Sequence, residues 1–151
     1  MAVLAEDAKL YFSPTDDFSG SDWTEICNVM DVSLTMSVSE VEVTRRCSGG
    51  FREFLQGLVD ASVEFGMLYE TGDQGYGKFR DAFNNKTTVM VYIASGDINA
   101  TGTYEGLKME ALVSNFSRDE SLGDALKVNV TLRPASNAAG NVPTWLTTVT
   151  S

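Results

Sequence analysis

From Val32 onward the chain alternates, with Val32, Leu34, Met36 and Val38 on one side and Ser33, Thr35 and Ser37 on the other. That period of two predicts a half-buried strand. The phase slips by one residue at Ser39-Glu40, after which Val41 and Val43 alternate with Glu40, Glu42 and Thr44. A second alternating run, Ala61 to Tyr69, puts Ala61, Val63, Phe65, Met67 and Tyr69 on one face and Ser62, Glu64, Gly66 and Leu68 on the other. Between the two runs lies Arg45-Arg46-Cys47-Ser48-Gly49-Gly50-Phe51-Arg52-Glu53-Phe54, read as a loop. It has the freedom of two glycines and also carries two aromatics, a composition that calls for something outside its own chain to hold it.

The flanking pattern is of the same kind. Ala8 to Phe12 is a short opening strand, and Ser13 to Asp22 is rich in turn-forming residues. Trp23 to Met30 is mixed and leans towards strand among its β-forming neighbours. Tyr76 to Asn84 is the best helix, because Tyr76, Phe79 and Phe83 share one face with Ala82 beside them. A helix this short needs a sheet to lie against. Strands are expected over Thr87 to Ala94, Thr103 to Phe116 and Ala125 to Pro134, with a charged connection from Ser117 to Gly123. Ala135 to Val142 reads as a polar linker, and Pro143 to Leu146 as part of a tail anchored by Trp145. The fold class is mainly β: an antiparallel sandwich or partial barrel with one flanking helix, in one domain over residues 1–151.

Charge changes this picture more than composition does. The 151 residues include 21 acidic and 11 basic side chains and no histidine, a net charge of −10. Proteins that grip nucleic acid carry the opposite sign. Two cysteines, Cys27 and Cys47, are too few for a disulfide framework, and without histidine there is no mixed Cys/His metal site. No apolar run approaches the ~18 residues of a membrane span. The first seven residues lack the basic and apolar regions of a secretory signal, so synthesis in the cytoplasm is expected.

Sequences that imitate chemical motifs fail at the place that matters. Gly72-Asp-Gln-Gly-Tyr-Gly-Lys78 follows a phosphate-binding loop for seven places, but Phe79 stands where a magnesium-binding hydroxyl is needed. Asp97 to Gly102 resembles the start of a calcium loop, yet Lys108 occupies the place of its bidentate glutamate. The Asn-x-Ser/Thr triplets at Asn85, Asn99, Asn115 and Asn129 fit a Ser/Thr/Asn-rich β protein. The carboxylate pairs Glu40/Glu42 and Glu64/Glu70 stand among Ser, Thr and Gly with no sign of a pocket. No catalytic site and no cofactor are expected.

One stretch carries a family resemblance. Glu42-Val-Thr-Arg45, Ser48-Gly-Gly-Phe-Arg-Glu-Phe-Leu55 and Gly57-Leu-Val-Asp-Ala-Ser-Val63 resemble the major tail tube protein of long-tailed, non-contractile bacteriophages. The order of elements from Leu10 to Pro134 is similar as well, and the chain stops without the C-terminal immunoglobulin-like domain of some relatives. The resemblance implies a subunit of six-fold rings that stack into a hollow tube, with an inner sheet contributing to a ring-wide barrel. It also implies a virion protein assembled in the host cytoplasm. Its expected partners are itself, a tape measure protein inside the tube, and tail terminator and distal tail proteins at the ends. Double-stranded DNA would pass through without specific binding, and no membrane insertion is implied.

On this reading Ser33, Thr35, Ser37, Glu40, Glu42, Ser62, Glu64, Lys108, Glu110, Lys127 and Asn129 are lumen-facing candidates. Thr44, Arg45, Arg46, Gly49, Gly50, Phe51, Arg52 and Phe54 form the loop expected to reach a neighbouring ring. Six copies at −10 carry −60, and a ~33 Å strand flanks about 19 duplex phosphates, so an acidic wall is expected to keep DNA from adhering. Two other readings fit the pattern: a tube subunit of a related injection machine or gene-transfer particle, and a monomeric ligand-binding β-sandwich. A short N-terminal arm (1–7) and a C-terminal tail (135–151) complete the expected layout.

Overall fold

A computed structural model describes residues 9–15, 23–120, 122–123, 125–135 and 143–150. In chain order the elements are β1 (Lys9–Phe12), β2 (Thr24–Glu25), β3 (Val29–Glu42), a 3-10 turn (Arg46–Ser48) and β4 (Phe54–Leu68). Helix α1 (Gln74–Asn85) follows, then β5 (Thr88–Ala94), β6 (Gly102–Asp119), β7 (Lys127–Pro134) and β8 (Thr144–Thr150). All pairings are antiparallel, and the strands lie in the order β2-β1-β5-β6-β7-β4-β3, with β8 pairing to β6.

The long β6 joins two halves. Its residues 106–112 pair with β5 on one edge, while Gly102–Lys108 pair with β8 and Ala111–Asp119 with β7 on the other. Gly106 is required where β5 crosses, because a Cβ there would overlap the carbonyl oxygen of Ile93 and lie 2.9 Å from the Cα of Ala94.

Period-two burial runs across the register. Val63 faces Leu34 and Leu132, and Phe65 faces Val130 and the exposed Val32. β3, expected to be half-buried, therefore meets the core only at Val29 and Leu34. Val91 faces Phe12 and Met109 in the other half. These residues share one apolar face, and α1 closes it. Tyr76, Phe79 and Ala82 of the helix join the same buried cluster, with the Phe79 ring 5.2 Å from that of Phe65. Tyr76 and Phe83 reach Phe116 at 5.8 and 6.0 Å between ring centroids. Burying side chains of this size contributes about 1.5–3 kcal/mol each before the entropy of ordering is counted.

Capping sets the helix ends. Asp73 is the N-cap, accepting from the Gly75 N–H at 2.9 Å, and Lys86 ends the helix in the left-handed region with φ 57°. The carboxylate therefore sits where a bound phosphate would have to, and Phe79 is fully buried. The phosphate-loop imitation is a helix cap and a core residue. Asp97 plays a similar part in the β5–β6 turn, accepting from the Asn99 N–H at 2.9 Å and from the Tyr11 hydroxyl at 3.4 Å.

Three elements differ from expectation. β4 begins at Phe54 rather than Ala61, so Phe54 is strand and the loop ends at Glu53. β6 continues to Asp119 through the residues read as a charged connection. Thr144–Thr150 form β8 rather than a loose tail. The polar linker, the N-terminal arm and much of the Ser13 to Asp22 loop lie outside the described residues.

Candidate assembly surfaces

The face opposite the core is polar over four adjacent strands. Ser33, Thr35 and Ser37 of β3 lie opposite Glu64, Ser62 and Asp60 of β4. Glu64, Gly66 and Leu68 in turn face Thr131, Asn129 and Lys127 of β7, which face Asn115, Ser117 and Asp119 of β6. Seven of the residues expected on such a surface are thereby brought together: Ser33, Thr35, Ser37, Ser62, Glu64, Lys127 and Asn129.

Four are not. Pairing steps from Val38↔Val59 to Glu40↔Gln56, so β4 holds one extra residue at a bulge opposite Ser39, where Ser39 Oγ donates to the Leu58 carbonyl at 3.4 Å. β3 keeps its alternation through the bulge, which leaves Glu40 and Glu42 on the side of Leu34 and brings Val41 to the side of Ser37. Lys108 and Glu110 lie in the first half of β6, away from the polar row. Glu110 is only 6% exposed and accepts from the Thr88 hydroxyl at 2.7 Å.

The polar face is also less acidic than the whole chain implies. Over Ser33–Ser37, Asp60–Leu68, Asn115–Asp119 and Lys127–Arg133, strand alternation gives it three carboxylates (Asp60, Glu64, Asp119) and two cations (Lys127, Arg133). Arg133 Nη2 donates to both oxygens of Asp60 at 2.7 Å. The balance is −1 per chain, so 18 of the 21 carboxylates stand elsewhere.

A second surface extends from this one. β4 pairs with β7 only from Val63 to Leu68, so Phe54 to Ser62 have β3 as their sole strand partner among the described residues. The result is a two-stranded ribbon with apolar side chains in the open. Leu58 is 87% exposed, and Met36, Val41, Phe54, Leu55 and Val59 are exposed as well. An isolated pair of strands is marginal in water, and contiguous exposed apolar groups mark an interaction site.

The tip of the ribbon is partly held by its own carboxylates. Arg52 Nε lies 3.4 Å from Glu42 Oε1, and Arg45 Nη2 lies 3.6 Å from Glu53 Oε2. Thr44 Oγ1 donates to Glu42 at 3.0 Å and accepts from the Glu53 N–H at 3.1 Å. Gly49 and Gly50 take φ of 66° and 88°, in the left-handed region that glycine allows. Phe51 is 77% exposed, Cys47 is a free exposed thiol, and Arg46 has no ion-pair partner among the described residues.

Sequence reasoning misses the apolar flank of this ribbon. Its one signal is the run Leu55-Gln-Gly-Leu58-Val59, apolar without a clean period. Among the described residues no group of three or more His, Cys, Asp or Glu could hold a metal ion, and no helix is long and apolar enough to cross a membrane.

Solved structures share this fold. The fold is similar to a subunit in the tail of an empty gene transfer agent particle refined with C6 symmetry (TM-score 0.72, 16% identity, 99% of this chain and 100% of that one). It is similar as well to the SPP1 tail tube (TM-score 0.71, 16% identity, 99% and 80%). A third likeness is to an extracellular contractile injection system in its sheath–tube complex (TM-score 0.62, 10% identity, 99% and 93%). No curated protein matches the chain in sequence. The profile of a family described as phage tail tube protein matches residues 7–138, and the chain, a virion tail component, belongs to that family.

Proposed function

We propose that six copies close into a ring, that rings stack into a tube, and that the four-strand polar face lines the channel through which double-stranded DNA leaves the capsid. One observation carries this reading: the polar face ends in an open strand edge on each side. Among the described residues the outer edge of β3 has no strand partner, and β6 beyond Leu112 has β7 on one edge and no strand on the other. Joining β3 of one copy to that edge of the next removes both liabilities. Six copies of four strands at ~4.8 Å spacing and ~40° tilt make a barrel about 48 Å across between backbones. A duplex fits inside once side chains are subtracted.

The lining would work by offering little to bind. Serine, threonine and asparagine dominate it, its two cations stand beside carboxylates, and its balance of −1 per chain gives phosphates nothing to condense upon. The chain acts as structure rather than as an enzyme, in one domain, and is assembled in the host cytoplasm. The loop from Thr44 to Phe54, with the apolar ribbon behind it, reaches the next ring. A tape measure protein within the tube, and terminator and distal tail proteins at its ends, complete the set of partners.

The likeness to the gene transfer agent tail favours one second reading, a tube of such a particle; the neighbouring genes separate the two. A monomeric ligand-binding sandwich leaves the ribbon's exposed leucines unexplained. Negative-stain electron microscopy of the concentrated protein is expected to show rings or tubes with a central channel. Persistent monomers would refute the proposal.

A further inference from the structure

The two ends of the β3–β4 hairpin are chemically matched. β3 runs 14 residues, which at about 3.3 Å per residue separates its ends by roughly 46 Å. Beside its start lies a groove of about 510 Å³, lined by Leu10, Ile26, Cys27, Ile93 and the first residues of β3, with Lys9, Glu25 and Asp31 also on its wall. Lys9 Nζ pairs with Glu25 Oε1 at 3.1 Å. Asp31, exposed in the bulge between Val29 and Val32, has no ion-pair partner among the described residues. This end therefore offers a recess with a partly apolar wall and one uncompensated anion.

The far end offers the complement. Arg45 and Arg52 are engaged by Glu53 and Glu42, whereas Arg46 is the tip's uncompensated cation, and Phe51 projects without cover. An aromatic side chain buries on the order of 150–250 Å² when it finds a pocket. A charge pair that leaves water on docking adds direction as well as attraction.

We infer that the hairpin tip of one copy docks in the groove beside β3 of a copy in the adjoining ring, with Phe51 in the recess and Arg46 against Asp31. This rests on the tube reading above and names the surface that receives the tip. The contact joins two different patches of one chain, so it is heterologous and propagates instead of closing on a pair. Each copy gives one tip and receives one, and a stack grows with a single polarity.

The chain carries its own probes. Cys27 lines the groove and Cys47 lies beside Arg46 in the tip, both as free exposed thiols. Assembled protein treated with a short bis-maleimide is expected to give a ladder of covalent multimers on a denaturing gel. Cys27→Ser and Cys47→Ser should each abolish the ladder, because every link joins one of each. Links that survive either substitution would mean that like cysteines adjoin, which overturns the inference. Tubes visible by microscopy but devoid of links overturn the groove while leaving the tube standing. If the wild-type protein makes no rings or tubes, both fall. Charge exchange is the second arm. Asp31→Arg and Arg46→Asp are each expected to lower tube yield at least tenfold, and the double variant to restore most of it. A double variant no better than the singles counts against the docking.

Discussion

Arg133 reaches past the end of the β4–β7 ladder to hold Asp60, with one guanidinium nitrogen 2.7 Å from both carboxylate oxygens. The ladder itself stops at Val63↔Leu132, so this pair braces the ribbon at its root. Both side chains are about half exposed or more, and such pairs contribute at most about 1 kcal/mol. Arg133→Met should therefore leave the melting temperature almost unchanged. Amide hydrogen exchange should nevertheless quicken over residues 54–62, because local opening there depends on the brace. Unaltered exchange would remove the bracing role.

The exposed ribbon separates folding from assembly. Leu58→Ser combined with Leu55→Ser should change monomer stability by no more than about 0.5 kcal/mol, as expected of exposed positions. Tube formation should be lost, which sedimentation and microscopy would read together.

Charge at the tip should behave likewise. Arg45→Glu with Arg46→Glu is expected to block stacking and to leave the circular dichroism spectrum of the monomer as it was. An unchanged tube yield would dismiss the loop from its proposed role.

Two glycines should respond with opposite signs. Gly106→Ala drives a methyl into the β5 backbone and should cost about 3 kcal/mol or more. Gly77 lies inside α1, and a methyl group added there would have nothing within 4 Å, so Gly77→Ala should stabilise by up to about 1 kcal/mol. Denaturant titration of the monomer measures both.

Alkaline pH should weaken the fold through Tyr11. Burial pushes its hydroxyl up to about 12 from the usual 10, with the Asp97 carboxylate adding to the effect. The native state thus prefers the neutral phenol. Stability from this source is complete below pH 10 and is lost as pH rises towards 12, on the order of 2–3 kcal/mol in all. Tyr11→Phe should flatten the decline between pH 10 and 12 in denaturant titrations.

What the sequence discloses depends on how each segment is buried. β5 meets the core on both faces and β7 on one, and their patterns are readable for that reason. β3 touches the core only at Val29 and Leu34 and keeps its alternation with Val32, Met36 and Val38 exposed. Phe54 to Asp60 are not readable, because among the described residues no strand beyond β3 imposes a period on them and the bulge at Gly57-Leu58 breaks what remains. In the proposed assembly their apolar residues answer to a contact outside the chain. Trp145 reads as an anchor, yet the strand around it leaves no trace in the pattern, because it pairs along one half of β6 with Thr144, Trp145, Leu146, Thr147 and Val149 all exposed. Glu40 and Glu42 join the lumen candidates only if the polar row continues across a slip in phase. β3 does not shift there; its partner does. Glu110 reads as a surface charge in a strand, and only the fold brings Thr88 to it.

The distribution of charge has a consequence for the protein before assembly. With 18 carboxylates and 9 cations off the polar face, nearly the whole net charge of −10 is left to the other surfaces. A subunit that carries uncovered leucines and a naked strand edge would be at risk of clumping with its own kind. Mutual repulsion opposes that, acting over a Debye length of about 8 Å at physiological salt, in the last approach. The free subunit is therefore colloidally protected by the same carboxylates that the polar face does without. Raising the ionic strength lowers this barrier and should shorten the lag before polymerisation.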